Sequence, residues 1–133
     1  MRQDERITIT TVVRAAPDAA FRLFTEEIDA WWRRGKGYRL DDGVMRFDGG
    51  QLLQGEALVG RVLAWEPGVR LLIEWHLWNF RAGERTEVEV RFQAVGDGTR
   101  VTVEHRGWEG RGEAFQAVVG LWWGPLLAAL RAV

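Results

Sequence analysis

The sequence predicts an α+β fold: a curved antiparallel sheet of about six or seven strands wraps around one long C-terminal helix, with two short helices after the first strand. Three observations carry that prediction. From Tyr38 to Val103 apolar residues alternate with polar ones in short runs broken by Gly, Asp and Pro. After Gly107 the spacing of apolar residues changes to that of a helix and stays so to the C-terminus. The 133 residues, 47% of them hydrophobic, suffice for one core, so a single domain over residues 1–133 is expected.

Each element follows from its local pattern. Ile7, Ile9, Thr11 and Val13 alternate with Thr8, Thr10, Val12 and Arg14, so Arg6 to Arg14 reads as a strand. Ala16-Pro17-Asp18 closes it and starts a helix, where proline is tolerated in the first turn. Ala20, Phe21, Phe24 and Ile28 give that helix an apolar stripe, which resumes after a break at Trp31 or Trp32. Asp41-Asp42-Gly43 and Asp48-Gly49-Gly50 are turn signals around a strand at Val44 to Phe47. Gln51 to Gln54, Glu56 to Trp65 and Val69 to Phe80 follow as strands, with Glu66-Pro67-Gly68 turning the chain before the last. Leu71, Ile73, Trp75 and Leu77 share one face, and Leu72, Glu74, His76 and Trp78 the other. Thr86, Val88, Val90 and Phe92 alternate with Glu87, Glu89 and Arg91. Val101, Val103 and His105 alternate with Thr102, Glu104 and Arg106. This is the pattern of a sheet with one dry face and one wet one. In the last helix Phe115, Val118 or Val119, Trp122, Leu126 and Ala129 or Leu130 form the stripe expected to face the sheet, and Pro125 predicts a bend or a fresh start at Gly124.

Composition excludes several chemistries. Eighteen basic and 19 acidic residues are interleaved to a net charge of −1, which leaves no basic stripe for nucleic acid. No cysteine and no serine are present, so thiol catalysis, disulfides and a Ser-His-Asp triad are impossible. The two histidines have no metal-ligand spacing, and no cofactor motif occurs. No apolar run is long enough for membrane insertion and the N-terminus does not read as a leader, so a cytoplasmic protein is expected.

The order of elements resembles the START-like superfamily, also called SRPBCC or birch-pollen-allergen-like. Within it the chain resembles the family named after the activator of the ninety-kilodalton heat-shock protein ATPase. The residues that carry the resemblance are Ala15-Ala16-Pro17-Asp18-Ala19-Ala20-Phe21 with Phe24-Thr25, Trp31-Trp32, and Gly60-Arg61-Val62 before Trp65-Glu66-Pro67. Others are Arg70-Leu71-Leu72-Ile73-Glu74-Trp75, Gly98-Thr99-Arg100-Val101-Thr102-Val103 with His105, and Trp123 spaced to Leu127 and Leu130. The resemblance implies a helix-grip fold with an enclosed hydrophobic cavity, often without metal or cofactor. Trp122 before Trp123 departs from the family's usual Gly-Trp, which would narrow or shift such a cavity.

Eight tryptophans in so short a chain suit a cavity lined by rings, a core or an interface. A ligand between sheet and helix would be lined by Trp31, Trp32, Phe47, Leu53, Trp75, His105, Trp108, Phe115 and Trp122. One ring of the Trp31-Trp32 pair is expected to point inward while the other covers an edge, and Trp108 sits where a loop can act as a lid. His105, in phase with Val101 and Val103 on the dry face, would hold a ligand's polar end or, in an enzyme, shuttle a proton. Alternatively it is a structural histidine. His76, Asp29 and Glu104 read as surface groups. Three functions remain open: binding of a hydrophobic or aromatic small molecule, a cyclase- or hydrolase-type enzyme using the same cavity, and a protein-interaction module. Outward-facing Trp65 and Trp78 would suit a homodimer.

Overall fold

The computed structural model describes residues 6–35, 37–77, 84–108 and 112–133, residues 112–116 by their backbone. Strand β1 (Arg6–Val13) is followed by helices α1 (Pro17–Thr25) and α2 (Ile28–Trp31). Strands β2 (Met45–Asp48), β3 (Gln51–Gln54), β4 (Ala57–Glu66), β5 (Arg70–Trp75), β6 (Thr86–Val95) and β7 (Gly98–Arg106) come next, and helix α3 (Gly112–Arg131) ends the chain. The seven strands form one antiparallel sheet in the order β1-β7-β6-β5-β4-β3-β2. The predicted α+β architecture is therefore observed. The expected strand tip at Trp78 to Phe80 lies outside the described residues.

Register shifts at Leu52/Leu53 and at Val62/Ala64 bend the sheet along β3, β4 and β5. Gly60 sits beside the second bend because its backbone runs against β5. A Cβ there would lie 2.5 Å from the Glu74 carbonyl oxygen. The bending turns one face inward, and on it β5, β6 and β7 place Leu71, Ile73, Trp75, Val88, Val90, Val101, Val103 and His105, all buried.

Helix α3 covers that face with Val119, Trp123, Leu126, Leu127 and Leu130. The stripe is thus centred on Trp123, one residue from its expected centre. Trp123 stands three, four and seven residues before the buried leucines, whereas Trp122 is turned about 100° away and is only half-buried. Val118 and Leu121 face solvent, Leu121 at 76% exposure. Pro125 lies inside a continuous helix, and no second helix starts at Gly124. Proline at 125 deprives the Leu121 carbonyl of its donor, and that exposed side of the helix lets water replace it. Among the described residues no helix is long and apolar enough to cross a membrane.

The convex face is not uniformly wet. Glu89 is 4% exposed and accepts hydrogen bonds from Arg70, Arg106 (2.9 Å) and Arg91 (3.3 Å). It lies directly across from Glu104, and Arg106 bridges the two carboxylates, reaching Glu104 at 2.8 Å. Burial alone pushes the Glu89 carboxyl up, but the bonds from Arg70 and Arg106 more than offset it and hold it at about 2. Glu104, as expected, faces outward.

The segment between α2 and β2 is tied by a buried arginine, Arg39, that no sequence period marks. Arg39 donates to the carbonyls of Trp32 (2.8 Å), Asp29 (3.1 Å), Gly43 (3.2 Å) and Arg33 (3.3 Å) and to the Asp29 carboxylate. The same carboxylate oxygen accepts the Met45 amide at 2.9 Å. Asp29 is therefore no simple surface charge. Burial raises its pKa, yet the Met45 and Arg39 bonds prevail and hold it below the ordinary carboxylate range. Buried Gln54 completes the tie, accepting from the Leu40 amide and donating to the Gly43 carbonyl at 2.7 Å. Replacing Arg39 with methionine leaves these carbonyls and Asp29 unmatched. The expected loss is about 3 kcal/mol of stability, read as a lower urea midpoint at unchanged slope. A loss below about 1 kcal/mol, the range of exposed ion pairs, contradicts a buried tie.

Candidate functional site

The rings of the sequence prediction converge from separate elements on the space between the sheet and α3. Trp31 and Trp32 end α2, and both are buried, so neither merely covers an edge. The Trp31 indole donates to the Leu23 carbonyl and the Trp32 indole to the Tyr38 carbonyl, each at 2.9 Å. Trp32 then meets Trp75 of β5 at 6.2 Å between ring centres, Trp122 at 5.7 Å and Trp123 at 6.0 Å. Trp75 lies 5.9 Å from Trp123 and 6.0 Å from His105. Trp108 is buried as well, its ring edge-on to His105 at 5.2 Å, which makes it part of the interior and not an outer lid. These are contact distances for aromatic pairs, so indole itself occupies much of the space.

Among the described residues Phe47 touches none of these indoles directly and joins them only through a chain of rings. It is half-buried against Trp65 at 5.5 Å, and Trp65 continues to Phe21 at 5.2 Å and Phe21 to Phe92 at 5.1 Å. The chain runs on from Phe92 by Phe24 (6.1 Å) to Trp31 (5.0 Å). Leu53 is not brought to the interior. The alternation of β3 puts Leu52 and Gln54 inside and leaves Leu53 half-exposed on the other side. The side chain of Phe115 and the whole of Trp78 lie outside the described residues. Tyr38 and Trp123, neither of them among the predicted site residues, both join the ring cluster. Trp123 was legible as a partner of Leu127 and Leu130 in the helical spacing, whereas Tyr38 had no periodic signal.

His105 sits at the centre of the cluster and its chemistry follows from its two partners. An indole N–H is a donor only, and Trp123 Nε1 donates to His105 Nδ1 at 3.0 Å. Nδ1 therefore carries a lone pair, the proton is on Nε2, and Nε2–H donates to the Thr86 hydroxyl at 2.8 Å. A second proton on the ring would set N–H against N–H. Burial pushes the His105 pKa down to about 3. At neutral pH the ring is a fixed, uncharged link between α3, β7 and β6. His76, half-buried on the convex side, bonds Glu74 at 2.8 Å. Among the described residues no group of three or more metal-binding side chains is assembled.

This geometry makes stability depend on pH in one direction. Between the ordinary 6.5 and the folded value of about 3 the unfolded chain binds a proton that the folded chain refuses. Stability is thus lost as pH falls through 6.5 toward 3. From pH 7 to pH 5 urea unfolding is expected to show a loss of about 2 kcal/mol from this group. The His105→Gln variant should lack that pH dependence, and an equal slope in both proteins contradicts a neutral buried ring.

The model of the family described as "Activator of Hsp90 ATPase homolog 1-like protein" matches residues 14–133. No curated protein matches the chain. Several solved structures do. CalC from Micromonospora echinospora, a self-sacrificing resistance protein, is 26% identical with a TM-score of 0.70, over 97% of this chain and 93% of that one. CalU16 from the same organism is 30% identical with a TM-score of 0.65, over 94% of this chain and 63% of that one. DynU16, a protein of the dynemicin biosynthetic locus, shares the fold with a TM-score of 0.68 at 20% identity, and this chain spans 47% of its length. With the fold and nearly the whole sequence in agreement, the chain belongs to the Activator of Hsp90 ATPase homolog 1-like family.

Proposed function

We propose that this chain acts as one domain that binds a hydrophobic small molecule carrying an aromatic ring, seated between the inner face of the sheet and α3. The observation that supports it best is the meeting of indoles from α2, β5, α3 and the segment after β7 around one uncharged histidine. A core that needed only volume could be filled by leucine and valine at less rigidity. Flat rings present fixed apolar faces, those of Trp32, Trp122 and Trp123 held by their N–H groups, and such faces are what a ring-bearing ligand requires. The likeness to CalC, a resistance protein, points to a bioactive compound as the partner class.

Recognition in this reading rests on ring faces, not on His105. Both of its nitrogens are engaged within the protein, and a pKa of about 3 means that it takes up no second proton near neutrality. The same two bonds speak against an enzyme that uses His105 as a proton shuttle.

Native mass spectrometry of freshly purified protein and titration with 1-anilinonaphthalene-8-sulfonate, followed through tryptophan emission, test the reading. The expected outcome is saturable one-to-one binding in the micromolar range, retained within about threefold by His105→Gln. Absence of both a co-purifying molecule and saturable probe binding refutes a binding role.

A further inference from the structure

Trp122 is the ring that joins the interior cluster to the surface. Inward it meets Trp123 at 5.3 Å and Trp32 at 5.7 Å, both edge to face. Outward it is stacked on Tyr38, 5.5 Å between centres with 16° between planes, the one near-parallel ring pair among the described residues. The Arg33 guanidinium lies on Tyr38 in turn, 5.4 Å from the ring centre. Three layers result: cation, phenol and indole.

The layers are not held equally. The Trp122 indole donates to the Gly37 carbonyl at 2.6 Å, and the Trp32 indole fixes the Tyr38 carbonyl. Amides of Tyr38 and Arg39 both return to the Gly35 carbonyl, at 3.2 and 3.0 Å, around Gly35 and Gly37 at positive φ. Backbone and indole are thus pinned by hydrogen bonds. The Tyr38 side chain is held by its faces alone: half-buried, its hydroxyl meets no protein partner among the described residues. Rotating it about its own side-chain bonds breaks no hydrogen bond and bares the face of Trp122. Arg33 is exposed and joins no ion pair among the described residues, whereas Arg34 and Arg39 are both spent on Asp29.

We infer that the Tyr38 ring is a movable cover on Trp122, and that a planar aromatic acid takes its place, its ring on the indole and its carboxylate on Arg33. This rests on the binding reading above and gives it a seat and a ligand class. A flat ring reproduces the stack that Tyr38 already makes, and an acidic substituent meets a cation that has no carboxylate partner among the described residues.

Tyr38 is the single tyrosine of the chain, so 3-fluorotyrosine labelling gives one fluorine resonance that reports the cover. Titration with 2-naphthoate is expected to move that resonance toward the value of an unstacked tyrosine, saturating together with tryptophan quenching. Tyr38→Ala should bind 2-naphthoate at least about threefold more tightly, because the competing ring is gone. Trp122→Leu should weaken it about tenfold. Arg33→Gln should weaken 2-naphthoate about fivefold while leaving uncharged 2-naphthamide unchanged. The fluorine signal and Tyr38→Ala, both at a half-exposed residue, carry the test even if Trp122→Leu does not fold. Saturable binding with an unmoved fluorine resonance and unaltered affinity in Tyr38→Ala overturns the seat and leaves the binding role intact. Failure of both naphthyl probes overturns the seat too, and only if the anilinonaphthalene titration also fails does the binding role fall with it.

Discussion

One hydrogen bond couples the helix to the sheet at the centre of the molecule, and the arrangement of the interior depends on it. Trp123 can only donate, so it selects the tautomer of His105, and that tautomer in turn selects Thr86 as the next partner. The chain of two bonds crosses from α3 over β7 to β6 through a region otherwise built of apolar side chains. A polar link in such surroundings is specific because any misplacement leaves a buried donor or acceptor unmatched. It fixes the rotation of α3 about its own axis, and with it which of two adjacent tryptophans faces the sheet.

Once Trp123 occupies the centre, Trp122 is carried to the margin by the pitch of the helix. There it meets the segment between α2 and β2, which is itself immobilised from behind by Arg39, Asp29 and Gln54. The buried arginine and the rim stack are two sides of one turn. Arg39 satisfies carbonyls that no regular element serves, while Trp32 and Trp122 satisfy those of Tyr38 and Gly37. The Tyr38 ring, by contrast, is held by its faces and by no hydrogen bond among the described residues.

The opposite side of the sheet follows a different rule. Glu89 is buried there not by apolar neighbours but by guanidinium groups from β5, β6 and β7. Glu104 directly opposite would repel it, and Arg106 between them converts the repulsion into a bridge that spans neighbouring strands. The two faces therefore keep the curved sheet together by different means, an aromatic interior on one and a charge network on the other.

Sequence alone determined the element order, the strand faces and the dry position of His105, because those depend on periods of two and 3.6 residues that local chemistry writes directly into the chain. It also supplied most of the rings that meet between sheet and helix. It did not determine whether Trp122 or Trp123 would face inward, since both fit a broad apolar stripe and the choice rests on a partner 18 positions away in the chain. Nor did it place Leu53, which the alternation of β3 sets opposite buried Leu52 and Gln54, or reveal Asp29, Arg39 and Tyr38 as partners. Such pairings have no period. They arise only when the fold brings distant carbonyls, charges and ring faces together, and tertiary structure alone decides which of them meet.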